Sequence, residues 1–295
     1  MDESISYARL DWFTSEKDLP FFIQYGGHDT DLFMHCHTDF YELVIVMDGS
    51  AVHVVGNEEY RVKRGDVFAV GSSIPHGYKD TKKFRICNIM YRLEDIFQNF
   101  PDIYSGAGFQ ALFVLEPRMS KDRVFRSRLR LQSENYRAVK SMLDRLLNEY
   151  ESTSDCRKTM VISLFVQLSV LLSRLYSFDE NDSSRDMINI AKAASYIENH
   201  FTESFSVAFL AELSHYSERH FIRIFKRAYG LSPHEYIISL RLGRACRLLR
   251  DSDMNVSETA KNCGFEDMNY FSRIFRKKTG LSPSEYKKQN GEQRL

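Results

Sequence analysis

A chain of 295 residues is long enough to bury two separate cores. Its 40 Lys/Arg and 40 Asp/Glu cancel, which excludes a protein that coats nucleic acid through net charge alone, and the acidic, polar start MDESISYARLDW is not the basic-then-apolar pattern of a secretory leader. The five cysteines, at 36, 87, 156, 246 and 263, form no C-x-x-C pair and no zinc or disulfide spacing, so a reducing cytoplasm is expected; no apolar run reads as reaching about 18 residues, so no membrane span is expected.

In chain order, short alternating or apolar runs come first, at residues 21–25, 43–47, 51–55, 60–62, 67–70 and 84–91. Turn residues break them at Asp48-Gly49, Gly56-Asn57 and Arg64-Gly65-Asp66. Many short strands at this spacing predict a β-sandwich or barrel, with a small ligand pocket in its mouth. Inside the region stand His35-x-His37, Glu42, Gly49, Gly65 and His76. Their order and spacing resemble the two cupin motifs, although Asp29, Gly71 and Ser73 replace a Gly, the Pro and a Gly of those motifs. The resemblance implies a barrel in which His35, His37, Glu42 and His76 occupy the four positions that hold a metal in cupin enzymes.

Three readings of the quartet compete. Neutral imidazoles and a carboxylate suit a divalent ion such as Zn, Ni, Mn or Fe. The same groups, lining an apolar cavity with Tyr41, His53 and Tyr78 as helpers, suit hydrogen bonds to the hydroxyls of a small polar effector. They can also be satisfied strand-end histidines that close the barrel mouth. The effector reading is adopted, with no cofactor; a divalent metal at the four positions, and with it a metal-dependent cupin enzyme, is the alternative.

Residues 93–125, with Pro101, Gly106, Gly108 and Pro117, read as mixed loop and short helix. Residues 133–150 form an amphipathic helix whose stripe is Val139, Met142, Leu143, Leu146 and Leu147. The next segment, 158–176, is apolar on nearly every side and is expected to be buried on nearly every side. It serves either as a homodimer interface or as a helix of the domain's own core. The polar stretch SFDENDSSR, 177–185, marks a linker.

The C-terminal third opens with a helix at 188–200 and then contains a repeat: FIRIFKRAYGLSPHEY from Phe221 returns as FSRIFRKKTGLSPSEY from Phe271. In the first copy Phe221, Ile224, Phe225 and Ala228 share one helical face, and Arg219, Ile222, Arg223 and Lys226 form a stripe opposite. In the second, Phe271, Ile274 and Phe275 lie behind, with Asn269, Ser272, Arg273 and Arg276 in front. Gly230 and Gly280 end these helices, and Ser-Pro starts the next ones. A short helix and a turn precede each copy, giving two helix-turn-helix units joined by a helix over 234–250. From residue 185 onward there are 18 Lys/Arg against 13 Asp/Glu, so the excess of positive charge lies in the half with the repeat.

This segment resembles the paired DNA-binding domain of the AraC/XylS transcription regulators: A-x-x-x-G-F-x-D-x-x-Y-F-x-R-x-F-[RK]-K-x-x-G-x-[ST]-P is whole in the second copy, and the first departs only where His215 stands at the turn glycine. HTDFYELVIVMDGSAVHV from His37, RGDV from Arg64 and NIMYR from Asn88 are in turn similar to the sensor domain of sugar-responsive members, especially those of the L-rhamnose type. The resemblance implies base reading by Arg219, Ile222 and Arg223 and by Met268, Asn269, Ser272 and Arg273. Lys226, Arg227, Arg276, Lys277 and Lys278 are assigned to phosphates. It implies a monosaccharide-like effector and activation through RNA polymerase, and the apolar segment 158–176 adds the expectation of a homodimer.

The expected fold is thus α+β. A cupin-like β-barrel effector domain spans 1–132, a helical dimerisation segment 133–178, a linker 179–186, and an all-α double helix-turn-helix domain 187–295. The chain is expected to be a cytoplasmic regulator that binds double-stranded DNA, and no enzyme.

Overall fold

The computed structural model describes residues 5–16, 18–119, 129–176 and 185–291. It divides into two compact units at Ala191/Lys192. Most of the expected linker falls on residues 177–184, outside those described.

Eight strands form the sheet of the first unit: β1 (Ser6–Ala8), β2 (Phe21–His28), β3 (Leu32–His37), β4 (Tyr41–Val55), β5 (Glu58–Lys63), β6 (Asp66–Val70), β7 (His76–Tyr91) and β8 (Leu129–Arg130). Their order is β1-β3-β7-β4-β6-β8, with β2 added to β7 and β5 to β4. The runs expected as two strands at 43–47 and 51–55 are one 15-residue strand, and Asp48-Gly49 is not a turn. The register of β4 against β7 slips repeatedly between Val46 and Val52. Such bulges absorb the turn-type residues and bend a strand without reversing it. The first half of β4 pairs with β6 and the second half with β5, so the bend curls the sheet. Val44, Val46, Val62, Phe68, Phe84 and Ile86 meet on one face in a buried core.

The other face of the sheet is covered by helices: α1 (Leu93–Phe97), α2 (Ala107–Phe109), which continues through π-helical Gln110–Leu115 into α3 (Glu116–Met119), then α4 (Ser133–Glu151) and α5 (Arg157–Leu175). Phe165 of α5 anchors this layer, its ring 5.1 Å from Phe21, 5.0 Å from Tyr91 and 5.7 Å from Phe97. Tilted pairs of this kind contribute about 0.5–1.5 kcal/mol each beyond area burial.

Two expectations about α5 need correction. It is not buried all round: Val161, Leu164, Phe165, Leu168 and Leu172 are buried, Ile162, Val166 and Val170 are half-buried, and Met160 is 43% exposed. By length and composition alone it is also apolar enough to cross a membrane, with a mean hydropathy of 1.4. The Ser, Gln and Arg residues interspersed in it interrupt the apolar run without lowering that mean far. In the fold, its most buried face packs on the aromatic layer.

The second unit begins within α6 (Arg185–His200) and is all helical: α7 (Val207–Leu213), α8 (Glu218–Tyr229), α9 (Pro233–Asp251), α10 (Val256–Asn262), α11 (Met268–Thr279) and α12 (Pro283–Gly291). The repeat is visible in its caps. Gly230 and Gly280 end α8 and α11 at φ 75° and 82°, a conformation glycine adopts without steric cost. Ser232 and Ser282 start α9 and α12, each bonded to the backbone N–H of the glutamate three residues on, while that glutamate accepts from the serine's N–H. The turns correspond as well: the N–H of Tyr216 donates to Ala211, and that of Phe265 to Ala260. His215 takes φ 58° where Gly264 takes 81°, so the first unit places a side chain in the left-handed region. Histidine tolerates that region better than most residues.

Candidate functional site

Each repeat unit lays an apolar helix face on its own core and leaves a cationic face outside. On α8, Phe221, Ile224, Phe225 and Ala228 are buried; Arg219, Arg223, Lys226 and Arg227 are exposed and Ile222 is half-buried. On α11, Phe271 and Phe275 are buried; Asn269, Arg273, Arg276, Lys277 and Lys278 are exposed and Ser272 is half-buried. Met268 is also half-buried and packs on the core that holds Phe265 and Phe271, so part of its side chain is committed inward.

Several of the exposed cations have neighbours that position them. Arg223 Nη2 lies 3.3 Å from His220 Nδ1, and the Arg273 guanidinium sits 5.6 Å over the Tyr270 ring. Among the described residues, Arg219, Arg223, Lys226, Arg276 and Lys277 make no salt bridge. Asp267 caps α11 by accepting from the N–H groups of Asn269 and Tyr270 at 2.7 and 2.9 Å, which holds the helix start that carries Asn269. Two helices of this kind in one unit, on either side of the 19-residue α9, can place guanidinium and amide groups against base edges and ammonium groups against phosphates.

In the first unit, the sheet brings His35, His37, Glu42 and His76 together, with one donor atom from each lying within 4.8 Å of the others. Strand pairing does this: His35 of β3 is opposite His76 of β7. The ring centroids of His35 and His37 lie 4.2 and 4.8 Å from that of His76. Glu42 Oε2 is 3.2 Å from His76 Nε2 and 3.8 Å from His37 Nε2. Glu42, His37 and His76 are buried, and His35 is half-buried. Burial opposes the charge on Glu42, but the bond to His76 and the surrounding imidazoles outweigh it and hold the carboxyl at about 2. Burial pushes His37 down to about 3 and lowers His35 as well.

The other expected effector residues divide. His53 and Tyr78 join the cluster: the His53 ring is 5.7 Å from His76 and stacks on Tyr78 at 5.0 Å. Tyr41 does not. It neighbours Glu42 in a strand, so it points to the opposite face, where it stacks on Tyr91 at 6.0 Å. Burial there raises its hydroxyl above the usual range. Two neighbours were not expected: His28, stacked on Tyr78 at 6.0 Å, and Phe40, stacked on His37 at 4.3 Å. Phe40 was within reach of sequence reasoning, three residues from a named histidine, whereas His28 carries no signal of its own.

The rings of the quartet pack against one another, and a cleft of about 680 Å³ in the same unit is lined by groups that include Arg61, Lys63, Asp80, Lys82 and Arg130.

A helix-turn-helix domain family matches residues 210–289, and the AraC-like ligand binding domain family matches residues 19–162. The HTH-type transcriptional activator RhaS of Enterobacter sp. (strain 638) is 31% identical over 237 residues, 80% of each chain. The HTH-type transcriptional activator RhaS of Citrobacter koseri is 32% identical over 239 residues, again 80% of each chain. Among solved structures, the DNA-binding domain of AdpA in complex with a target DNA is 33% identical, with a TM-score of 0.35, over 36% of this chain and 96% of that one.

Proposed function

The chain belongs to the AraC family of transcription regulators, and from that membership we propose that it activates carbohydrate-use genes in response to a small sugar-like effector bound by its N-terminal unit. The observation that carries the DNA-binding half is the pair of exposed cationic faces on α8 and α11, each backed by buried phenylalanines. Arg219 and Arg223, with Ile222 between them, read bases in one major groove; Asn269, Ser272 and Arg273 read them in a second, with the free part of Met268 beside them. Arginine pairs with guanine O6/N7 and asparagine with adenine N6/N7, while Ile222 and Met268 pack on thymine methyls. Lys226, Arg227, Arg276, Lys277 and Lys278 meet phosphates and set the register.

The effector is read by His35, His37, Glu42, His53, His76 and Tyr78, and Tyr41 drops out of that set. The half-buried Ile162, Val166 and Val170 of α5 support a homodimer contact, and contact with RNA polymerase follows from the activator reading. The protein acts in the cytoplasm, where its operator lies. A sensor role rather than catalysis is supported by relatives named as transcriptional activators.

Lys277 separates a phosphate contact from a base contact. In operator titrations over a range of salt concentrations, Lys277→Ala is expected to weaken all sequences alike and to lower the slope of log K against log salt by about 1. An unchanged slope, or a loss confined to one base position, would refute the assignment.

A further inference from the structure

We propose that the cleft formed along β5, β4 and β7 is a binding site for a phosphorylated sugar or polyol, separate from the histidine quartet and independent of the effector reading above.

Alternation along the strands sets the face on which its cations lie. In β5, Val62 is buried, so Arg61 and Lys63 on either side of it point away from the core. In β4, Ala51 and His53 are buried, which turns Ser50 and Val52 to that same outer face. Register then arranges these residues in rows. Ser50 lies between Lys63 of β5 and Lys82 of β7, and Val52 lies between Arg61 and Lys79. Strands spaced about 4.8 Å apart put the Lys63 and Lys82 backbones about 10 Å from one another, a span that two lysine side chains close on one small ligand. Lys79 is neutralised by Glu59 at 2.5 Å. Among the described residues, neither Lys63 nor Lys82 makes a salt bridge. Like charges gathered in one row repel each other, and a bound anion removes that cost.

One wall is made of irregular backbone. Between the Ser50 and Val52 pairings the register advances by two residues in β4 and by three in β7, and this bulge brings Asp80, Thr81 and Lys82 into the lining. Asp80 and Lys83 take φ 52° and 48°, in the left-handed region that residues with a Cβ seldom adopt. The bulge is held from two sides: the Thr81 N–H donates to Asp31 at 3.4 Å, and Gly49 lets β4 pass so close that a Cβ there would run into the Lys82 and Lys83 carbonyl oxygens. Such conformations persist where the surroundings over-determine them, and they cluster at ligand clamps. Arg130 adds a fixed guanidinium. The fully buried Asp66 accepts from its Nε at 2.7 Å and its Nη2 at 3.2 Å, while the arginine side chain stays 55% exposed.

Size and lining select the ligand. A volume of about 680 Å³ exceeds what a bare oxyanion fills and lies in the range of small-molecule sites. Arg61, Lys63, Lys82 and Arg130 face one carboxylate, Asp80, which calls for an anion. Ser50, Thr81 and Asp80 offer hydrogen-bond partners to hydroxyl groups. Among the described residues the lining holds no aromatic ring, and so no platform on which a nucleobase would stack. A phosphate ester of a sugar or polyol satisfies all of these conditions.

The test is titration calorimetry on the full-length protein at fixed, chloride-balanced ionic strength. The probes are a panel of hexose, pentose and polyol phosphates, their unphosphorylated counterparts, inorganic phosphate and AMP. At least one phosphorylated sugar or polyol is expected to bind saturably and about tenfold or more tighter than its free counterpart, inorganic phosphate or AMP. Lys63→Ala/Lys82→Ala, at two exposed positions, should weaken that binding about tenfold or more while the circular dichroism of the folded protein persists. Lys192→Ala, in the second unit, should change nothing. A panel without saturable binding, binding that survives intact in the double variant, or inorganic phosphate or AMP binding as tightly as every phosphorylated sugar and polyol would overturn the site. So would a double variant whose operator affinity falls in the absence of ligand, because these lysines would then meet DNA.

The free sugars separate this site from the effector reading. A monosaccharide that binds wild type and double variant equally shows that the two sites are distinct, as proposed; one whose binding is lost in the double variant shows that they are the same, and the separation fails. Tight binding of a sugar phosphate with no binding of any free sugar supports the cleft and counts against the free-sugar effector.

Discussion

Gly264→Ala is expected to destabilise the second unit by about 3 kcal/mol, because two separate costs add at that position. The residue sits at φ 81°, and the left-handed region costs a residue with a Cβ about 1 kcal/mol. A Cβ built there would also meet the backbone of Thr202, well inside van der Waals distance of its carbonyl oxygen and 2.9 Å from its carbonyl carbon. Backbone cannot rotate away as a side chain can, so the turn or the α6–α7 connection has to move. Gly230 supplies the control: it has φ 75° and nothing within 4 Å of its virtual Cβ, so Gly230→Ala should lose only about 1 kcal/mol. His215, at φ 58° in the corresponding turn of the first unit, shows that the backbone angle alone is tolerated. Equal losses for the two alanine variants in denaturant unfolding would remove the steric argument.

Arg241→Ala is the second large effect, expected at about 3 kcal/mol, with operator binding lost in parallel. The guanidinium of this α9 residue donates from Nε to the Phe201 carbonyl at 2.6 Å, from Nη1 to Gly264 at 2.6 Å and from Nη2 to Glu203 at 2.8 Å. It thereby ties the α6–α7 connection and the turn of the second repeat to the helix between the repeats. A planar fork with fixed N–H directions can satisfy three separated carbonyls, and an ammonium group on a flexible stem cannot. Arg241→Lys should therefore recover less than half of the loss. Wild-type stability in Arg241→Lys would show that charge, and not the fork, matters there.

The parts of the molecule that were legible beforehand are those where local chemistry determines local geometry. The glycine ends of α8 and α11, the Ser-Pro starts of α9 and α12 and the two opposed faces of each reading helix all depend on residues within one or two turns of one another. Asp48-Gly49 shows the limit. The pair has the composition of a hairpin turn, but whether such residues reverse a strand or bulge within it is decided by what the flanking segments pair with, and β6, β5 and β7 claim β4 throughout. Tyr41 was legible but misassigned, since alternation alone separates it from Glu42. The half-exposed side of α5 and the approach of His28 to Tyr78 depend on tertiary packing, which no local pattern encodes. For the histidine quartet, spacing identified the residues, but it is strand pairing, with His35 of β3 opposite His76 of β7, that brings them together.

The central claim is that α8 and α11 read DNA together. The direct measurement is operator affinity for wild type, Arg223→Ala and Arg273→Ala against a set of operators with every base pair substituted in turn. Each variant is predicted to lose about 1–3 kcal/mol and to relax discrimination at its own position, the two positions lying about one helical turn, 10 bp, apart. If both variants relax the same position, or if one of them binds every operator as the wild type does, the two helices do not read successive grooves and the account is wrong.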